Sequence, residues 1–174
     1  IKEYDYTYLK SLFGYIPQEP ILMNTTIRDN ILMGKTGISD KAIIECARKT
    51  GALKVINSKT ERLNYVVGVK GSKVSGGEKQ LIAITRALIT NPHYLIMDEV
   101  TSALDNKSEL QVNECLREIT YSQHITGIQI AHRLSSIVNA DVIHMLNQGE
   151  IIASGNHSEL SETCEEYKLL VLEM

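Results

Sequence analysis

The pattern of apolar and polar positions divides the chain into stretches with helical spacing and short runs with strand character. Residues 25–32 place Ile27, Ile31 and Leu32 behind a capping threonine, which predicts a short helix. Ser39 caps the next, which runs to Thr50 with Ile43, Ile44 and Ala47 on one stripe and Gly51 as its stop. Another covers residues 52–57. Residues 78–90 carry Leu81, Ile84 and Leu88 on one face with Ile82 and Ile89 beside them, and Asn91-Pro92 ends that helix. Residues 106–120 repeat the spacing through Leu110, Asn113, Leu116 and Arg117, and a terminal helix after Ser158-Glu159-Leu160 carries Tyr167, Leu169, Leu170 and Leu172.

Strands are predicted where the runs shorten. Tyr15-Ile16 is one, stopped by Pro17. The apolar run Tyr94-Leu95-Ile96-Met97 is a second, and residues 125–130, where Ile128 and Ile130 flank Gln129, are a third. Residues 141–146 and 150–153 read as two strands joined by a tight turn at Asn147-Gln148-Gly149. The chain shows no internal repeat and no low-complexity segment.

Composition narrows the classes. With 174 residues and 43% hydrophobic content the chain can bury one sizeable core, so one domain or part of one is expected. A formal charge of −3 supplies no basic footprint, which argues against a nucleic-acid binder. Cys46, Cys115 and Cys164 lie far apart in no zinc or redox spacing, as reduced thiols would. No apolar run reaches the length of a membrane span, and Ile1-Lys2-Glu3 is no signal peptide. If the protein serves a membrane, its spanning part lies outside this sequence.

Chemistry concentrates in three blocks. In Ser75-Gly76-Gly77-Glu78-Lys79-Gln80 two glycines open the backbone at the start of a helix, where free N–H groups and the helix dipole suit an anion. The run ending in Asp98-Glu99 places two acids after a buried strand, where open α/β sheets bind their ligands. Adjacent strand residues point to opposite faces, so these acids share no role unless the strand has ended. Ser102-Ala103-Leu104-Asp105 follows directly. Gly34-Lys35-Thr36 copies the end of a phosphate-binding loop, but the pattern requires a glycine where Asp29 stands, so that stretch is excluded.

In order and spacing the blocks resemble the signature motif, Walker B and D-loop of an ABC-type ATPase of the exporter kind. Ile16-Pro17-Gln18-Glu19-Pro20 is similar to the Q-loop and Ala131-His132-Arg133-Leu134 to the switch-histidine loop. Residues 25–32 resemble the first helix of the helical subdomain, and Val67-Gly68-Val69-Lys70-Gly71 the exporter loop that touches the transmembrane coupling helices. Exporters usually carry a glutamate where Val69 stands, and a basic residue where Leu81 stands. The likeness covers residues 16–160. No Walker A motif is present, so the sequence reads as a fragment or as a truncated protein.

The resemblance implies an α/β fold: part of a RecA-like P-loop NTPase core with an ABC α-helical subdomain. Residues 1–20 would be core and Q-loop, 21–90 the helical subdomain through the signature helix, and 91–174 core. It implies ATP and Mg2+ as ligands. Asp98 and Gln18 would serve the metal, Glu99 would polarise water as general base, and His132 would contact the γ-phosphate. Ser75, Gly76, Gly77 and Glu78 would close over nucleotide held by a second ABC ATPase domain, with Asp105 organising the facing site. The implied activity is ATP hydrolysis powering an exporter, coupled to its transmembrane domain at the cytosolic face of a membrane, or the matrix face if the membrane is organellar, with no nucleic acid involved. The stretch alone is expected to bind ATP poorly and not to hydrolyse it. A soluble ABC ATPase of DNA repair or translation and a non-catalytic dimerisation module remain alternatives, distinguished by the sequence upstream of Ile1.

Overall fold

Three of the short apolar runs pair side by side in the computed structural model, which describes residues 3–101, 104, 106–122, 124–131 and 133–172. β1 (Phe13–Ile16), β2 (Tyr94–Asp98) and β3 (Thr126–Ile130) form a parallel sheet in that order, with Tyr15 opposite Ile96 and Asp98 opposite Ile130. Parallel strands require long crossovers. The chain supplies them as helices: α2 (Ile27–Leu32), α3 (Asp40–Thr50), α4 (Ala52–Ser58) and α5 (Gly76–Leu88) between β1 and β2, then α6 (Asn106–Ser122) between β2 and β3. A short helix, α1 (Tyr6–Ser11), precedes the sheet. The periodicity gave no sign of it because its tyrosines stay exposed, and it is held by the Asp5 carboxylate accepting from the Tyr8 amide.

The sheet is covered on one face. Gly14, Ile16, Leu95 and Met97 are buried, and the last three pack against Ile84, Ala87 and Leu88 of α5 and Val112, Leu116 and Ile119 of α6. Close approach forces one choice: a Cβ on Gly14 would lie 2.8 Å from the Ala87 carbonyl oxygen. On the alternate positions Phe13, Tyr15, Tyr94, Ile128 and Ile130 remain exposed, with Phe13 and Tyr94 stacked at 5.1 Å.

A second apolar cluster joins α2, α3 and α4 to the other side of α5 through Ile27, Ile31, Ile43, Ala47, Ile56 and Ile82. α5 is therefore a wall shared by two cores. Leu81 packs against both, which explains why an apolar residue suits a position that is usually basic in the resembled family. Ser39 and Gly51 cap α3 as the sequence predicts, Gly51 at φ 80°. α5 begins two residues before the predicted start, because Ser75 caps it, and ends at Leu88, ahead of Asn91 at φ 49°.

Residues up to Ile130 form one compact unit and those from Ala131 a second. In the second, β4 (Ile143–Asn147) and β5 (Glu150–Gly155) pair antiparallel through Gln148-Gly149, both at positive φ as a tight hairpin requires. The predicted terminal helix is two, α7 (His157–Thr163) and α8 (Glu165–Leu172), separated at Cys164 in an extended conformation. The break lets Leu160, Cys164 and Tyr167 all enter a core with Leu134 and Ile143. Among the described residues no helix is long and apolar enough to cross a membrane.

Candidate functional site

β2 ends at Asp98, and the next residue abandons strand geometry. Glu99 sits at φ 42°, a left-handed conformation unusual for a residue with a side chain, while its amide still donates to the Ile130 carbonyl at 2.9 Å. The strand has thus ended between the two acids, and strand alternation no longer sends them to opposite faces. Both are half-buried at the carboxyl edge of the sheet.

Pairing of β1 with β2 brings Gln18 to the same edge. The last paired residue of β1, Ile16, lies opposite Met97, and two residues later the Gln18 side-chain amide donates to Glu99 Oε2 at 2.6 Å. Asp98 receives the Tyr15 hydroxyl at 3.3 Å. Desolvation and, next, the Asp98 carboxylate push the Tyr15 phenol above its ordinary range, so it remains a donor. Gln18, Asp98 and Glu99, singled out in the sequence, are brought together; Tyr15 is an addition. Reading Tyr15 only as a strand residue concealed that its hydroxyl reaches the acid two register positions along.

The donor set at this edge is two carboxylates and an amide, all hard oxygen ligands. That chemistry suits Mg2+, which takes one or two carboxylates and keeps its remaining positions for water and phosphate. Among the described residues no group of three or more His, Cys, Asp or Glu forms a metal cluster. Asp105 and His132 lie outside the described residues.

The second group caps α5. Ser75 Oγ accepts from the Glu78 amide at 3.2 Å, and Glu78 Oε2 accepts from the Ser75 amide at 2.8 Å, a reciprocal capping box. The next two amides, of Gly76 and Gly77, belong to the first helical turn, where no carbonyl of the helix can reach them. Gly76 is exposed, and a Cβ there would meet nothing within 4 Å. Lys59, just past α4, donates to Glu78 Oε1 at 2.9 Å. Burial would raise the Glu78 carboxyl, but the Ser75 amide and Lys59 outweigh it and hold the group below its ordinary range.

Arg86 ties the two regions to one helix. From α5 its guanidinium donates to the Asn30 carbonyl at 2.7 Å, to the Ile21 carbonyl at 3.0 Å and to Asn30 Oδ1 at 3.4 Å. The chain leaving Gln18 is thereby fastened to the signature-like helix. The only sequence signal was a charged residue lying among buried positions of an amphipathic helix.

A parallel sheet carrying acids at its carboxyl edge, with a glycine-opened helix packed against three others, defines an α/β domain of the nucleotide-binding type. Residues 1–102 match the ABC transporter family. The chain is 44% identical over 174 residues to Multidrug resistance protein 1 of Entamoeba histolytica, covering 98% of this chain and 13% of that protein. It is 44% identical over 162 residues to the ATP-dependent lipid A-core flippase of Syntrophus aciditrophicus, covering 92% of this chain and 27% of that protein. A bacterial Atm1-family ABC exporter solved with ATP bound superposes with a TM-score of 0.86 at 36% identity, covering 96% of this chain and 29% of that one. The chain belongs to the ABC transporter family, and its fold is that of an exporter nucleotide-binding domain with a RecA-like ATPase core. It spans only 13% and 27% of the length of those two relatives.

Proposed function

We propose that this chain is part of the ATPase domain of an ABC exporter and supplies Q-loop, Walker B, D-loop, switch histidine and signature motif. The observation that carries the reading is the Gln18–Glu99 bond beside Asp98 at the carboxyl edge of a parallel sheet. In this reading residues 1–20 and 91–174 are core and 21–90 the helical subdomain.

Phosphoryl transfer requires positioning and charge compensation more than covalent help. Asp98 and the Gln18 amide oxygen would hold Mg2+, which when bound neutralises charge on the phosphates. Glu99 accepts the proton of the attacking water, and the Gln18 N–H fixes the orientation of that carboxylate. His132 contacts the γ-phosphate. The amides of Gly76 and Gly77, with the Ser75 hydroxyl, face nucleotide held by a second ABC ATPase domain, and Asp105 organises that facing site. A transmembrane domain is the other partner; exposed Ile21 and Val69, at 75% and 65%, support contact with it at the cytosolic face. The sequence contains no Walker A motif, so this stretch alone would complete a partner's site without hydrolysing ATP itself.

Glu99→Gln in the complete protein tests the assignment. Phosphate release should fall by about a hundredfold or more while nucleotide-driven pairing persists. Turnover at the wild-type rate would overturn it.

A further inference from the structure

The capping box explains how Glu78 satisfies the first turn of α5, but it also places a negative charge at the helix end where phosphate would approach. That charge has an answer elsewhere in the chain. Lys59 reaches Glu78 Oε1 at 2.9 Å across 19 positions, and the pair is largely withdrawn from solvent, with side-chain exposures of 17% and 25%. The same ammonium stands 5.5 Å from the Tyr65 ring centroid, so it is held from two sides. Glu78 thus spends one oxygen on the Ser75 amide and the other on Lys59.

We infer that Lys59 is a positioning residue for the signature motif: its ammonium neutralises Glu78 at the tip of α5 and so permits nucleotide phosphate to approach Gly76 and Gly77. The inference rests on the signature reading above. A cap built from glutamate fixes the helix start well but repels an anion. Pairing the outer oxygen with a lysine retains the cap and cancels the repulsion. Lys59 does not touch the nucleotide in this account and acts only through Glu78. A neutral residue at position 78 would make the lysine dispensable, which gives the inference its test.

The experiment uses the complete protein and reads ATP-dependent phosphate release together with the ATP concentration that drives pairing of the ATPase domains. Lys59→Met should raise the ATP requirement about tenfold, the effect of one uncompensated like charge, and leave kcat nearly unchanged. Lys59→Arg should behave as wild type. In a Glu78→Gln background, Lys59→Met should leave the ATP requirement where Glu78→Gln alone sets it, because glutamine keeps the cap without the charge. An unchanged ATP requirement in Lys59→Met, or the same tenfold rise when it is added to Glu78→Gln, overturns the role of Lys59. Ser75→Arg in the same assay examines the signature reading by itself: wild-type pairing there removes the site, whereas loss of pairing there with a silent Lys59→Met removes only the present inference.

Discussion

The Gln18 side-chain amide donates to Glu99 Oε2 at 2.6 Å, joining the loop after β1 to the residue after β2 across 81 positions. Glu99 has left the strand at φ 42°, so its side chain owes its position to this contact as well as to the backbone. Replacing the amide with a carboxylate keeps the shape and reverses the electrostatics. In Gln18→Glu the two acids would share the site at hydrogen-bond distance, and one of them would hold its proton to a higher pH. The acid limb of the pH–rate profile of the complete protein should therefore move upward, with activity at neutral pH reduced. A profile superimposable on wild type would show that Gln18 does not bear on the base.

Two glycines on α5 and β1 separate packing from function. A Cβ on Gly14 would lie 2.8 Å from the Ala87 carbonyl oxygen, which cannot give without moving α5, and 3.1 Å from Pro92 Cγ in the turn beyond it. Gly14→Ala should cost about 1–3 kcal/mol in urea unfolding. Gly76→Ala should be near neutral in the same measurement, since its Cβ meets nothing within 4 Å, and should instead weaken nucleotide-driven pairing. Equal stabilities of the two variants would refute the distinction.

Much of this architecture was legible as periodicity. The stripes on α3 and α5, the Ser39 and Gly51 caps and the hairpin turn at Gln148-Gly149 are local signals, and local signals survive in a single sequence. What was hidden depends on distant pairing. Tyr15, Lys59 and Arg86 gain their meaning from partners 83, 19 and 56 positions away, and no spacing rule marks such contacts. The break at Cys164 is similar in kind: it lets Tyr167 reach the core of the second unit, a demand set by packing and not by helix propensity.

The half-buried thiols set an alkaline limit. Burial pushes both Cys46 and Cys115 from 9.0 up to about 11. A group that holds its proton more tightly when folded stabilises the fold below its unfolded pKa and loses that contribution as pH rises toward the folded value. Stability should therefore fall as pH rises from 9.0 towards about 11, and Cys46→Ala should flatten that part of the curve. Alkylation by iodoacetamide at pH 8 should be slow at both thiols in the folded protein and fast in urea, because burial keeps them protonated and the thiolate is the reactive form. Rapid labelling of the folded chain at Cys46 would contradict the burial argument.

Arg86 links the candidate catalytic edge to the signature-like helix without an ionic partner among the described residues. Its fork spans three oxygens, of Asn30 and Ile21, and its own carbonyl accepts from Lys35 Nζ at 3.1 Å. Burial lowers its pKa, and the oxygens that hold the guanidinium are neutral carbonyl and amide oxygens. Lysine cannot reproduce a planar fork, so Arg86→Lys should leave the Ile21 carbonyl and the Asn30 side chain short of donors and cost about 1–3 kcal/mol. The loss should be local at first: amide hydrogen exchange should accelerate across residues 19–33 while β3 keeps its protection. Because that segment begins directly after Gln18, turnover of the complete protein should drop in the same variant, although Arg86 is placed in neither candidate site. Unchanged exchange across residues 19–33 would mean that the fork is incidental to holding the loop.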